Sequence, residues 1–309
     1  MSDHVVVLGA GSGLGAVIAR RLVAEGRRVT GVTRSGRGVP GGVVSRRADV
    51  LDRASLVEVC EGASVVHLAT NVPYPDWAAR FPVMVDNAIA AAERSGAKLV
   101  FADNLYAYGP VDGVITEATP ERPAGPKEKL RARLRQTLLG AHASGRARVT
   151  IAGISDYYGP DAHNTLPNEL LLAPLVRGRN PVWFGPRELP HTFGYAPDTA
   201  RALIVLGDDA RADGRVWNTP AAPTLPVSRF AALAGQVAGR ERRLLRMPAA
   251  TVTLMSLFDR RLRGYGELNH QRTRPWVVDH SAFEQAFGPF RVTGHEEALH
   301  DTIGWYRAR

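Results

Sequence analysis

A glycine-rich stretch near the start of the chain has the composition of an anion-binding loop. It reads GAGSGLG over residues 9–15 and directly follows the apolar run 5–8. Glycines let the backbone turn tightly and approach a phosphate, and the free amides of a following helix can bind it. We therefore expect a dinucleotide here, with a merely tight strand-to-helix turn as the alternative. The expected contacts are Gly9, Gly11, Ser12, Gly13, Leu14 and Gly15.

The segment 27–37 contains several arginines and no acidic residue. An acid at the end of the second strand of such a fold would bind the ribose 2′-hydroxyl of NAD. Arginine can instead hold the 2′-phosphate of NADP through charge-assisted hydrogen bonds. Arg34 and Arg37 are the candidates, and arginines solvated in a loop are the alternative. The sequence favours NADP, with NAD as the other possibility.

The elements around this loop alternate in type. Short β-rich runs and helical patterns succeed one another over the first 155 residues, which is typical of βαβ units around a parallel sheet. The predicted strands are 4–9, 28–33, 43–48, 64–68, 98–102 and 148–153. The predicted helices are 13–25, 53–61, 80–95 and 127–143. We predict an α/β fold, a Rossmann doubly wound parallel sheet with helices on both faces.

The remainder of the chain is richer in proline and less regular. Helical patterns recur near 226–239, 248–262 and 295–307, and returns to the sheet are expected near 191–217. We predict a dinucleotide-binding domain over residues 1–155. Residues 156–309 are predicted to form a smaller C-terminal substrate-binding lobe, interleaved with the late sheet elements.

The amino-acid composition indicates which classes of partner the protein is expected to bind. The chain has 309 residues with 45% hydrophobic and 22% charged residues and a net charge of +9, and its arginines are scattered in pairs without interleaved aromatics. This distribution argues against nucleic acid. No run of 18 or more apolar residues suggests a membrane-spanning helix. We expect a cytoplasmic protein with a small-molecule substrate and a possible homodimer. No grouping has metal-ligand spacing, and the single cysteine, Cys60, is expected to be buried.

Several motifs in order resemble the short-chain dehydrogenase/reductase superfamily, in particular its extended or atypical branch, often called NAD-dependent epimerase/dehydratase. They are the glycine loop and the segments 48–52, 65–70, 108–110, 156–160 and 193–200. The resemblance implies that Asp49 and Val50 contact the adenine and that Ala69 and Thr70 line the path to the nicotinamide ribose. Asp49 starting a turn and Thr70 capping one are the alternatives. Lys127 matches the lysine that holds the nicotinamide ribose.

The resemblance fails where the chemistry of the family is expected. The family pattern places a proton-donating tyrosine four residues before the lysine, and position 123 is proline. Asn104 stands where a serine or threonine polarises the carbonyl; its amide can donate a hydrogen bond but is no proton source. The proton would then come from Tyr106, Tyr157, Tyr158 or His191, from water or from the substrate. For His191 a core position is the alternative, and for Lys127 a solvated one.

A recognition surface is expected in the second lobe. A largely apolar pocket with a few polar anchors would suit a small molecule. Its candidate residues are Tyr157, Tyr158, His163, Asn164, Trp183 and Phe184. The resulting hypothesis is an NADP(H)-dependent oxidoreductase that reduces a ketone on a small, partly apolar metabolite, with proton delivery that departs from the family pattern. The alternatives are a dinucleotide-binding redox sensor or regulatory protein without turnover, and a non-redox isomerase, epimerase or cyclase.

Overall fold

A computed structural model describes residues 3–163, 165–248, 251, 254 and 265–309. Its strands are β1 (His4–Leu8), β2 (Arg28–Thr33), β3 (Val44–Arg47), β4 (Val65–Leu68), β5 (Lys98–Asn104), β6 (Val114–Ile115), β7 (Arg148–Ile154), β8 (Tyr157–Tyr158), β9 (Val182–Phe184), β10 (Pro190–His191), β11 (Gly194–Tyr195), β12 (Val216–Asn218), β13 (Leu225–Pro226), β14 (Leu245–Met247) and β15 (Val277–Val278). Its α-helices are α1 (Gly13–Ala24), α2 (Arg53–Val59), α3 (Trp77–Ser95), α4 (Pro126–Ala143), α5 (Ala173–Val176), α6 (Ala196–Asp208), α7 (Val227–Ala238), α8 (His270–Thr273), α9 (Ser281–Phe287) and α10 (His295–Arg307). Shorter helical turns are Tyr74–Asp76, Tyr106–Tyr108, Pro167–Leu172, Ala210–Ala212 and Tyr265–Leu268.

Within the described ranges, seven strands form one parallel sheet in the order β12-β7-β5-β4-β1-β2-β3. Val5 of β1 pairs with Val29 of β2 on one side and with Val65 of β4 on the other. Because all of these strands run the same way, their carboxyl ends meet at one edge, where ligands bind in sheets of this type. The predicted α/β fold is confirmed.

Each face of the sheet is covered by helices. Val6 and Leu8 pack on one face with residues of α2, α3 and α4, while Val5 and Val7 pack on the other with α1 and α6. The alternation follows from the period of two along a strand. A stripe of leucines four residues apart on α4, Leu130, Leu134 and Leu138, lies in the first of these layers. Cys60 is buried there too, as predicted.

A third apolar cluster belongs to the C-terminal part of the chain. It contains the rings of Tyr158, Trp183, Phe193 and Phe230, together with buried residues of α7 and α10. Between these segments the chain returns to the sheet, where Val216 of β12 pairs with Ile151 of β7. This return falls within the region in which late sheet elements were expected. The division of the chain at residue 155 stays a prediction.

One predicted helix, 248–262, lies largely outside the described residues. Among the helices that are described, none combines the length and the apolar character needed to cross a membrane.

Candidate active site

The glycine loop is a close-packed cradle at the ends of β1 and β4. Gly9 adopts a φ of 91°, and a Cβ there would lie 2.9 Å from the Thr70 Oγ1 atom. A Cβ on Gly15 would overlap the Gly9 carbonyl oxygen. Larger residues would therefore displace the backbone, as expected for a tight strand-to-helix turn. The dinucleotide contacts of the loop stay a prediction. Thr70 Oγ1 is itself buried and has no hydrogen-bond partner among the described atoms.

The two candidate arginines lie on a turn beside this cradle. The Arg37 amide donates to Thr33 Oγ1 at 3.1 Å, and the Thr33 hydroxyl donates to the Arg37 carbonyl oxygen at 3.1 Å. A Cβ on Gly11 would be 3.7 Å from that carbonyl oxygen, so the turn adjoins the loop. Arg34 and Arg37 are both exposed. Their contact with the 2′-phosphate of a dinucleotide stays a prediction.

The residues predicted to contact the adenine form a turn of their own. The Asp49 Oδ1 atom accepts a hydrogen bond from the Leu51 amide at 3.0 Å, which corresponds to the turn that was the alternative interpretation. The Val50 carbonyl accepts from the Asn87 side chain at 3.1 Å. Both local bonds order the turn. The adenine contact of Asp49 and Val50 stays a prediction.

A cleft opens at the carboxyl ends of β1, β4, β5 and β7. It is lined by Leu14, Ala69, Thr70, Asn71, Tyr74, Trp77, Ala102, Asp103, Asn104, Leu105, Tyr106, Arg131, Ile154, Ser155, Asp156, Tyr157, Thr165, Leu166, Gln271 and Trp276. The structure therefore brings together the predicted Leu14, Ala69, Thr70, Asn104, Tyr106 and Tyr157. The cleft adjoins the glycine loop, as hydride transfer to a bound substrate would require.

One wall of the cleft carries a pair of tyrosine hydroxyls. The Tyr106 hydroxyl lies 2.9 Å from the Tyr74 hydroxyl, and the Tyr106 amide donates to Asn104 Oδ1 at 3.1 Å. The Trp77 ring stacks on Tyr74 with centroids 4.7 Å apart. Tyr74 was not among the site residues predicted from the sequence. Its signal was an aromatic residue between Pro73 and Pro75 shortly after a strand at the sheet's functional edge.

Behind this wall lies a buried ion-pair network that was also overlooked. Arg131 Nη1 donates to Asp103 Oδ1 at 3.1 Å, and Arg135 Nε donates to Asp103 Oδ2 at 2.6 Å. The Arg131 guanidinium lies 4.2 Å from the Trp77 ring centroid. The signal in the sequence was a pair of arginines four residues apart, each directly after a leucine of the buried α4 stripe. The network fixes α4 against the end of β5.

Lys127 is buried at the start of α4. Its Nζ lies 3.2 Å from Glu267 Oε1 and 5.5 Å from the centroid of the Tyr74 ring. The alternative of a solvated lysine is wrong, because only 9% of the residue is exposed. Lys127 does not itself line the cleft, and its contact with a ribose stays a prediction.

His191 is behind the cleft surface. Its Nε2 lies 2.9 Å from Asp156 Oδ2, and its ring packs 4.6 Å from that of Phe193. The histidine is buried, whereas Asp156 faces the cleft, so any effect of His191 on a substrate passes through Asp156. Neighbouring Tyr157 lines the cleft directly. Burial, with a smaller contribution from Asp156, raises the pKa of Tyr157 to about 12.

The expected apolar pocket differs from the structure. Tyr158 and Trp183 do not line the cleft but lie in the core of the third cluster, because large rings gain most by complete burial. The Tyr158 hydroxyl is 3.1 Å from His295 Nδ1. His163 packs against Trp305 with centroids 5.1 Å apart. Phe184 is half-buried on β9 away from the cleft lining, and Asn164 lies outside the described residues.

Comparison with known proteins agrees with this geometry. Residues 5–219 match the NAD dependent epimerase/dehydratase family, and the chain belongs to this family. A search of curated protein sequences found no significant match. Family membership supports an NAD-dependent enzyme of the epimerase/dehydratase kind. No group of three or more His, Cys, Asp or Glu suited to a metal ion occurs in the described part of the chain.

Solved structures with the same fold include two epimerases and a dehydratase. UDP-glucose 4-epimerase from Thermotoga maritima, with UDP-glucose, has a TM-score of 0.81 at 16% identity over 99% of each chain. dTDP-glucose 4,6-dehydratase from Bacillus anthracis, in complex with NAD, has 0.80 at 14%, covering 99% of this chain and 97% of that one. UDP-glucose 4-epimerase from Thermus thermophilus, in complex with NAD, has 0.77 at 17%, covering 98% and 99%. These likenesses establish the fold.

Proposed function

We propose that the protein is an NADP(H)-dependent oxidoreductase that reduces a ketone on a small, partly apolar metabolite. The observation that carries this proposal is the adjacency of two sites. The glycine cradle at residues 9–15 opens onto a cleft that contains an amide and several tyrosine hydroxyls. The first suits the pyrophosphate of a dinucleotide and the second suits a carbonyl oxygen. When bound, the nicotinamide would supply the hydride.

The side chains of the cleft would contact the carbonyl oxygen and supply the proton. Because Asn104 Oδ1 accepts from the Tyr106 backbone, the N–H groups of this amide are the atoms suited to a carbonyl oxygen. The raised pKa of Tyr157 keeps its hydroxyl protonated at neutral pH. Burial likewise holds the pKa of Tyr74 well above its usual range. Both hydroxyls are therefore protonated at neutral pH and can donate a hydrogen bond to a substrate oxygen.

The proposed preference for NADPH over NADH is tested by measuring the two binding affinities. Quenching of tryptophan fluorescence by NADPH and by NADH gives the two affinities without any substrate. We expect tighter binding of NADPH because Arg34 and Arg37 lie beside the cradle and no acid replaces them. Equal or tighter binding of NADH would overturn the NADP assignment.

Turnover is tested by absorbance. A panel of small ketones, graded from apolar to hydroxylated, is incubated with NADPH, and loss of the reduced-nicotinamide band is recorded. Consumption with at least one ketone is the expected result. Tight NADPH binding without consumption across the panel would instead favour a dinucleotide-binding regulatory protein.

Epimerisation is the second candidate, and the family match is the observation that favours it. Hydride would leave the substrate and return to it on the opposite face, with no net use of cofactor. Its signature is an inverted product that accumulates while the nicotinamide absorbance returns to its starting value. Stoichiometric consumption of NADPH would exclude it.

A further inference from the structure

Tyr74 lies beside Lys127, whose Nζ is 5.5 Å from the centroid of the Tyr74 ring. We propose that the Tyr74 hydroxyl donates the proton to the substrate oxygen, in place of the tyrosine that is absent at Pro123. This proposal rests on the proposed hydride-transfer function and names the residue that completes it.

The geometry joins four groups in one chain of contacts. Lys127 Nζ lies 5.5 Å from the Tyr74 ring centroid, and the Tyr74 hydroxyl is 2.9 Å from that of Tyr106. The Tyr106 amide in turn donates to Asn104. A lysine, a phenol and a carbonyl-polarising amide are thereby brought together, although the phenol comes from the segment after β4 and not from the segment before α4.

Tyr74 differs in its surroundings from the other tyrosines of the cleft. A cation over an aromatic face attracts its electrons and stabilises a phenolate formed after proton transfer. Lys127 provides that cation for Tyr74, and Arg272 lowers the pKa of the same group. Burial, Tyr106 and Asp156 act in the opposite direction and dominate, so the hydroxyl is protonated before reaction.

The segment around Tyr74 is ordered by its own hydrogen bonds. Trp77 Nε1 donates to the Val72 carbonyl at 2.9 Å, and the Asp76 amide donates to the Pro73 carbonyl at 2.9 Å. Stacking of Trp77 on Tyr74 fixes the plane of the phenol ring. A proton donor must be held in one geometry, and these contacts supply it.

The reaction balances with these groups. The carbonyl carbon of the substrate gains a C–H bond with hydride from reduced nicotinamide, and the π electrons of the C=O bond pass to oxygen. That oxygen takes the proton of the Tyr74 hydroxyl and becomes the alcohol. Tyr74 recovers a proton through the Tyr106 hydroxyl, which is replenished from water. The net change is one NADPH and one proton consumed for each ketone reduced.

The test needs no substrate. Oxidised nicotinamide carries a positive charge that reduced nicotinamide lacks, so a phenol at the reacting position has a lower pKa in the NADP⁺ complex. Alkaline titrations of the NADP⁺ and NADPH complexes are compared by phenolate absorbance in the wild type, in Tyr74→Phe and in Tyr306→Phe. Tyr306 is the matched control, since it lies on α10 and does not line the cleft.

We expect the wild type and Tyr306→Phe to form an additional phenolate at lower pH with NADP⁺ than with NADPH. Tyr74→Phe should lose this difference and still bind NADPH within about twofold of the wild type, which also shows that the variant is folded. A full difference signal in Tyr74→Phe, or none in the wild type, would overturn the assignment. With a ketone that turns over, the expected decrease in kcat is about a hundredfold or more.

The proposed function and the Tyr74 assignment are contradicted by different results. Absence of NADPH binding by the wild type defeats the proposed function. Normal binding together with an unchanged phenolate signal in Tyr74→Phe defeats the Tyr74 assignment alone.

Discussion

The cleft borders the glycine loop at Leu14, and the two sides of this border are built in opposite ways. The glycine wall, residues 9–15, is shaped by backbone, because Gly9 and Gly15 each leave no room for a Cβ. The tyrosine wall, formed by Tyr74, Asn104, Tyr106 and Arg131, is shaped by side chains from three separate segments. The shape of the glycine wall depends on local sequence, because one short stretch of backbone forms it. The shape of the tyrosine wall depends on the packing behind it, because its side chains come from distant segments.

The largest expected effect concerns the support of the tyrosine wall. Asp103→Asn leaves the buried guanidinium groups of Arg131 and Arg135 without their shared carboxylate. We expect the free energy of unfolding to decrease by about 3–5 kcal/mol, measured by denaturant titration. The control is Glu93→Gln, which breaks an exposed pair with Arg146 and should leave stability unchanged within error. Equal effects of the two substitutions would show that burial does not set the strength of this network.

The next effect concerns the glycine wall. Gly15→Ala forces the backbone apart at Gly9, so we expect a loss of about 1–3 kcal/mol in stability and weaker NADPH binding. Gly140→Ala is the matched control, because Gly140 is in α4 with open space around it. The same change there should raise stability by about 0.5–1 kcal/mol. Calorimetry and fluorescence titration measure the two quantities. Undiminished NADPH binding by Gly15→Ala would contradict a backbone-shaped cradle.

A smaller effect concerns the difference in affinity between NADPH and NADH. Arg34→Ala and Arg37→Ala should each weaken NADPH binding about tenfold, as expected for loss of a hydrogen bond to a charged group, and should leave NADH unaffected. Arg133→Ala, on the exposed face of α4, is the control. Fluorescence titration reports each affinity. A parallel loss of NADH binding would assign these arginines to the shared part of the dinucleotide.

The smallest expected effect concerns the rate at which Cys60 reacts with thiol reagents, which reports local opening of the layer that buries it. Cys60 is buried in the layer that supports the tyrosine wall, and burial raises the pKa of its thiol to about 12. Thiol reagents need thiolate, so no labelling is expected in folded wild type at neutral pH, with complete labelling in denaturant. Asp103→Asn should accelerate labelling more than Gly15→Ala does. Equal acceleration would mean that the two layers open together, and the reverse order would contradict the link between Asp103 and the layer of Cys60.

The sequence predicted the backbone-shaped parts of the molecule well. Residues 4–9 and 127–143 were predicted as a strand and a helix, and the structure has His4–Leu8 and Pro126–Ala143. Apolar periodicity and glycine placement act within a few residues, so they can be recognised in one chain. The glycine loop belongs to the same kind of signal.

The tyrosine wall could be predicted only in part. Pro123 and Asn104 marked where the family pattern breaks, but no local rule connects either of them with Tyr74. That residue reaches the site because the segment after β4 folds against Trp77 and α4. Trp183 shows the converse error, since an aromatic residue suited to a pocket gains more free energy from complete burial in a core.

The last strand of the sheet has a consequence for how the protein is made. Val216–Asn218 forms the outer edge beside β7, yet the chain forms β8 to β11 and α6 between Arg148–Ile154 and this strand. During synthesis on the ribosome, the backbone amides and carbonyls of β7 therefore remain unpaired on that side until residue 218 has emerged. A nascent chain that stalls earlier presents an open edge to its neighbours, and such edges recruit other strands.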